Sequence, residues 1–234
     1  MIRPLSQKRG WLLVRGVLLR GLRLGGLLIG GLLVGGLPGS AAWAQPASTG
    51  LDFFVDGLRS WEAEFTQTVT DSRGRVAAPL KGKLWIERPG RFRWQLGLPE
   101  PMQIMVADGR NLWFYDRDLE QVTVRRASDS MSATPASLLA GTVPLREGFS
   151  LEPLPRRAGL DWLRVTPKQT DAEFREARLA FEGNALRRME LTDKLGQSVI
   201  LDFTQSKRNE VFAPEVLRFT VPEGADLIGT PVGP

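Results

Sequence analysis

The stretch Leu80-Lys81-Gly82-Lys83-Leu84-Trp85-Ile86-Glu87-Arg88-Pro89-Gly90-Arg91-Phe92-Arg93-Trp94-Gln95-Leu96 decides the fold class. Two runs of strand-forming residues flank a Pro-Gly pair, the pattern of antiparallel strands joined by a turn. Phe92, Trp94 and Leu96 share one face of the second run, and Arg91, Arg93 and Gln95 share the other. Leu84, Ile86 and Arg88 likewise share a face, so a regular strand carries Arg88 at the edge of an apolar surface. On periodicity alone, the simpler reading is a packed core with Arg88 snorkelling from its rim.

The same punctuation extends along the chain. Strands are expected near Trp61–Thr70, Leu80–Glu87, Arg91–Leu96, Met102–Ala107, Asn111–Tyr115 and Gln121–Val124. They resume near Phe149–Pro153, Asp161–Thr166, Glu173–Phe181, Ala185–Thr192, Ser198–Thr204 and Val216–Val221. Ile104 and Val106 alternate, as do Val199, Leu201 and Phe203, and are assigned to the same apolar surface as Leu84 and Ile86. Two helices interrupt the strands. One spans Gly50–Leu58, with Leu51, Phe54, Val55 and Leu58 at helical offsets and Thr49 or Asp52 as cap. The other opens at Thr134-Pro135 and runs through Ala140 to a stop at Gly141. The Pro- and Arg-rich segment Pro153–Arg157 reads as a loop. The whole predicts one antiparallel sheet of about ten or eleven strands, long enough to curl or close.

Composition narrows the chemistry. The 234 residues include no cysteine and no histidine, which excludes disulfides, thiolate and imidazole metal sites, a Ser-His-Asp triad and a lipid-modified N-terminal cysteine. The net charge of +5 is concentrated at the start. Arg3, Lys8, Arg9, Arg15, Arg20 and Arg23 precede residue 45 with no acid among them; without those six, 25 basic residues face 26 acidic ones. The remainder lacks the field that phosphate binding needs, so no nucleic-acid partner is expected. The leader has a basic start, an apolar run Leu24–Leu37, a Pro38-Gly39 break and Ala42-Trp43-Ala44, the order of parts in a secretory signal. Residues 1–44 are read as that signal and 45–234 as a single exported domain. The alternative, a membrane anchor, is disfavoured because the 14-residue run with six glycines is short of the about 20 residues a span requires. No phosphate loop, nucleophile elbow or calcium-loop spacing is present. No cofactor, metal or catalytic group is expected, and the chain is not read as an enzyme.

Several segments in order resemble one family, the periplasmic outer-membrane lipoprotein carriers (LolA). They are Phe65-Thr66-Gln67, Gly82-Lys83-Leu84-Trp85, Arg88–Trp94, Asp108–Asp116, Leu119-Glu120-Gln121-Val122, Thr134–Leu139, Thr166-Pro167-Lys168 and Phe219–Asp226. The similarity covers about Leu51 to Ile228. It implies an unclosed antiparallel β-barrel, mainly β with a helical lid, around a hydrophobic cavity for acyl chains. It implies a carrier that takes triacylated lipoproteins from an inner-membrane ABC transporter and delivers them, as a monomer in the periplasm, to an outer-membrane lipoprotein receptor. Arg88 matches the family arginine that latches the lid. Phe92, Trp94, Leu138 and Leu139 match apolar positions facing cavity or lid. With the periodicity residues Leu84, Ile86, Ile104 and Val106, these make up the expected acyl-chain site. The receptor itself is excluded by the missing cysteine. An exported hydrolase lacks a clustered polar site here, and an exported binder of small apolar ligands or free lipid is the remaining alternative.

Overall fold

Turn residues at short intervals leave no room for crossover helices within residues 60–126 or within residues 149–208, so in each run every strand pairs with its neighbour in sequence. The computed structural model describes residues 49–130, 135–141, 145–169, 172 and 174–233. The leader, its cleavage point and Thr134 lie outside them. In chain order the elements are α1 (Gly50–Val55), β1 (Ser60–Thr70), β2 (Leu80–Glu87), β3 (Arg91–Leu96), β4 (Gln103–Ala107), β5 (Asn111–Asp116) and β6 (Gln121–Arg126). Three short helices follow, α2 (Ala127–Ser130), α3 (Pro135–Ala140) and α4 (Leu145–Gly148). Then come β7 (Phe149–Arg157), β8 (Leu160–Pro167), β9 (Phe174–Glu182), β10 (Ala185–Asp193), β11 (Ser198–Arg208), a 3-10 turn (Pro214–Leu217) and β12 (Asp226–Ile228).

The twelve strands among the described residues join one sheet in the order β12-β6-β5-β4-β3-β2-β1-β11-β10-β9-β8-β7. β12 and β7 are its two edges and do not pair with each other, so the sheet is unclosed. Every ladder is antiparallel except β12 with β6. α1 covers part of one face. Its cap is reciprocal: Asp52 N donates to Thr49 Oγ1 at 3.3 Å and Thr49 N to Asp52 Oδ2 at 2.7 Å. The α1 residue Phe54 lies 5.3 Å from the ring of Trp61 on β1 and 6.2 Å from that of Phe181 on β9. In a flat sheet strands three apart stand about 14 Å from one another, so the face bends round the helix.

The register defines that inner face. Leu84 opposes Ala63 and Trp94, and Ile86 opposes Trp61 and Phe92. From β3 the rows continue as Phe92–Ala107–Leu112 and Trp94–Met105–Phe114. In the other direction Phe65 opposes Phe203, and Leu201 opposes Met189, which opposes Leu179. Close packing here needs one glycine. A Cβ on Gly82 would collide with the Phe65 ring and stand 2.5 Å from the carbonyl oxygen of Gln95.

Ile104 and Val106 do not belong to this face. They oppose Gln95 and Arg93 on β3, and Tyr115 and Trp113 on β5, so they point outward. Alternation within β4 fixes which residues share a side but not which side; the β3–β4 register decides that. Outside, Val106, Trp113, Val122 and Val124 form a second core, packed by Ile104, Tyr115, Phe219, Val221 and Ala225. This explains why Val216–Val221 is not a strand. Its first residues close a 3-10 turn, Phe219 and Val221 then pack over the outer cluster, with Phe219 stacked 5.4 Å from Trp113, and the chain rejoins the sheet only at β12. The tail ends on Asn111, whose Oδ1 accepts from Val232 N at 2.7 Å and whose Nδ2 donates to Val232 O at 3.1 Å.

Asp108 organises the turn beneath that tail. Its carboxylate accepts from Trp113 Nε1 at 2.7 Å, Asn111 N at 2.8 Å and Arg110 N at 2.9 Å. Burial alone would raise its pKa, but these donors together hold it below the ordinary value. A depressed carboxyl contributes stability above its unfolded pKa, near 4, and loses it as pH falls through the folded value. Asp108→Asn is therefore expected to flatten the acid limb of thermal stability measured against pH. An unchanged acid limb would remove Asp108 from it.

Pro153–Arg157 is not a loop but the second half of β7, with Pro153 opposite Leu163 and Leu154 opposite Trp162. Proline is tolerated because β7 is an edge. Lys168 N donates to Gly148 O at 3.0 Å, which makes 148, 150, 152 and 154 the positions that bond to β8. Odd-numbered residues then turn their N–H groups outward, and Pro153 and Pro155 remove two of them. These prolines blunt the edge against strand addition. Pro153→Thr with Pro155→Thr is expected to promote self-association, read by sedimentation velocity. A double variant as monodisperse as wild type would refute this.

Candidate functional site

The turn after β2 sets Arg88. Its backbone N donates to Arg59 O at 2.8 Å, and two residues later Gly90 N donates to Ala140 O, the last residue of α3, at 2.9 Å. The Arg88 side chain turns toward the helices. Nη1 donates to Val55 O at the C-terminal end of α1, 3.2 Å away. The guanidinium lies against Gly141, just past α3, where any Cβ would collide with it. Gly141 also has φ +68°, so only glycine meets both demands at low cost. Burial lowers the Arg88 pKa from its ordinary value, but a guanidinium stays charged in proteins and keeps its donors.

Arg208, at the end of β11, completes the arrangement. Its Nη1 donates to Phe54 O at 2.7 Å and its Nη2 to Asp56 O at 3.0 Å. Three successive carbonyls at the end of α1, those of Phe54, Val55 and Asp56, are thus taken by two arginines. Arg146 of α4 pairs with Asp52 of α1 at 2.8 Å. Arg208 gives no signal in the sequence, because its role depends on the long-range β1–β11 register.

α3 packs on β2 and β3, with Ala136, Leu138, Leu139 and Ala140 at most 2% exposed. Beneath lie Leu84, Ile86 and Phe92, fully buried. The structure therefore sets α3, with Leu138 and Leu139, on the strands that carry Leu84, Ile86 and Phe92, with Arg88 at its end. Trp94 differs. It is only half-buried, as are its row neighbours Met105 and Phe114 and the adjacent Leu112, although all four point inward. Trp94 leans on Phe65, ring to ring at 4.3 Å. Met105, Phe114 and Leu112 take the place that periodicity gave to Ile104 and Val106. Leu112-Trp113-Phe114-Tyr115 is apolar on both faces and so carries no alternation to read.

This surface is apolar and accessible, and it adjoins α3, whose last carbonyl accepts from Gly90 N and whose end lies against the Arg88 guanidinium. Residues 56–220 match the family described as outer membrane lipoprotein carrier protein LolA. The chain belongs to the LolA family. A relative from Dechloromonas aromatica, named outer-membrane lipoprotein carrier protein, is 39% identical over 176 residues, covering 75% of this chain and 84% of the relative. One of the same name from Methylobacillus flagellatus is 39% identical, covering 76% and 87%. A third, from Chromobacterium violaceum, is 37% identical, covering 81% and 91%. The span matched by LolA starts directly after α1 and contains Arg88, Gly141, Arg208 and the inward rows of β3 to β5.

Proposed function

We propose that this chain is a periplasmic carrier that binds the acyl chains of lipoproteins released from the inner membrane and passes them to an outer-membrane receptor. One observation carries the reading: Trp94, Met105, Phe114 and Leu112 keep accessible surface on the inward face of the sheet, beside α3, whose last carbonyl accepts from Gly90 N and whose following Gly141 lies against the Arg88 guanidinium. Acyl chains in water cost about 0.8 kcal/mol per exposed methylene, and aromatic and thioether side chains hide them without directional demands. Leu84, Ile86, Phe92, Leu138 and Leu139 are the surfaces added when α3 moves away. Arg88 is the latch between closed and open states. The work is binding and release, with no covalent step, and the carrier is a monomer supplied by an ABC transporter. Names shared with relatives at 37–39% identity support the cargo class.

The test is recovery of the mature protein from the periplasm with its native ligand, identified by mass spectrometry. Bound lipoprotein, and its transfer to purified receptor in a reconstituted assay, is the expected result. Free fatty acid or phospholipid alone would favour a binder of small apolar ligands instead.

A further inference from the structure

β6 is built inside out. Its outward residues Val122 and Val124 are buried beneath the C-terminal segment, while Gln121, Thr123 and Arg125 take the inward positions. The two inward rows therefore change character at this strand. Trp94–Met105–Phe114 ends on Thr123, and Phe92–Ala107–Leu112 ends on Arg125. An interior that only had to hide hydrocarbon would gain from valine or leucine there, since polar groups facing an apolar ligand lose water without return. Thr123 is half-buried and Arg125 exposed. Among the described residues Arg125 has no ion-pair partner.

The lipid anchor of a lipoprotein brings the complementary need. Its chains are joined through ester and amide groups, whose carbonyl oxygens accept hydrogen bonds and carry no donors of their own. Drawn against an apolar wall, these acceptors lose water, and an unmet acceptor costs more than a made bond returns. Arginine offers five donors and threonine one. Resting on the carrier reading above, we propose that Thr123 and Arg125 form the polar end of the acyl site. They receive the ester and amide carbonyls of the lipid anchor, while the chains lie along Phe114, Met105 and Trp94.

Two synthetic cysteinyl peptides test this, carrying the same two alkyl chains on glycerol through ester links in one and ether links in the other. The ether form keeps the hydrocarbon and loses the glyceryl carbonyls. Wild type is expected to bind the ester form roughly ten-fold or more tightly, the range for hydrogen bonds to a charged donor. Thr123→Val with Arg125→Met is expected to bind both alike, at the wild-type affinity for the ether form. That residual binding also reports an intact fold. Equal binding of the two peptides by wild type, which needs no variant, overturns the proposal and leaves the carrier reading standing. An ester preference retained in the double variant overturns it too. Binding of neither peptide by wild type brings down the carrier reading, and the proposal with it.

Discussion

Arg88→Leu is expected to leave lipoprotein uptake intact and to cut delivery to the receptor about ten- to a hundred-fold. The guanidinium donates to Val55 O and fills the space beside Gly141, so it contributes only when α1 and α3 are in place. A hydrogen bond from a charged donor is worth about 1.5–3 kcal/mol, and every 1.4 kcal/mol is about a factor of ten in an equilibrium. Removing it destabilises the closed, empty state relative to the open, loaded one. Leucine also adds apolar wall beside Leu84 and Ile86, which favours a bound chain. Transfer then loses its driving force, because emptying the carrier no longer regains the latch. The measurement is transfer from purified, loaded carrier to receptor, beside an uptake assay on the same preparation. Equal transfer by variant and wild type would reduce Arg88 to a rim residue. Loss of both uptake and transfer would point to misfolding, which the thermal midpoint would reveal.

Phe114→Asp is expected to abolish uptake. Phe114 points inward at the centre of the accessible row, between Met105 and Thr123. A carboxylate there meets water while the carrier is empty, so folding survives. An arriving acyl chain strips that water and leaves an ion facing hydrocarbon, a cost of several kcal/mol, or at least a hundred-fold in affinity. Phe114→Met keeps the surface apolar and is expected to bind close to wild type. Retained binding by the aspartate variant would place the chains elsewhere. The comparison also separates the inner row from the outer cluster, because Tyr115, one residue on, packs against Phe219 on the far side of the sheet.

The chain's own grammar made the hairpin of β2 and β3 legible to the residue. Leu80–Glu87 and Arg91–Leu96 alternate cleanly and Pro89-Gly90 separates them, so local information suffices. The same alternation placed Arg88 at the edge of the apolar face, but as a rim residue; the latch role came from the family resemblance alone. Ile104 and Val106 were misplaced because parity is relative: β4 alternates on its own terms, and only its pairing with Arg93 and Gln95 reveals that its aliphatic side looks outward. The second core escaped notice because its other half arrives more than ninety residues later, as Phe219 and Val221. Proline misled at β7, where an edge position tolerates what a central strand would not. β12 is three residues long and parallel to its neighbour, too short for any period to register. The family resemblance, by contrast, needed only ordered motifs.

The double hold on α1 has a consequence for how far the carrier must open. Arg208 holds the carbonyls of Phe54 and Asp56 independently of the Arg88 bond to Val55, so losing the Arg88 bond alone is not expected to free α1 or unroof Phe54 and Trp61. On the proposed opening at α3, the larger buried side chains uncovered are Leu138 and Leu139. Exposing two leucines costs about 3–6 kcal/mol, and each methylene hidden returns about 0.8 kcal/mol. Some four to eight methylenes of incoming chain therefore match the cost of lifting the helix. A fatty acyl chain of membrane length exceeds that number, whereas a short-chain metabolite does not, so a lid that opens in the proposed way would act as a ruler, admitting cargo by hydrocarbon length.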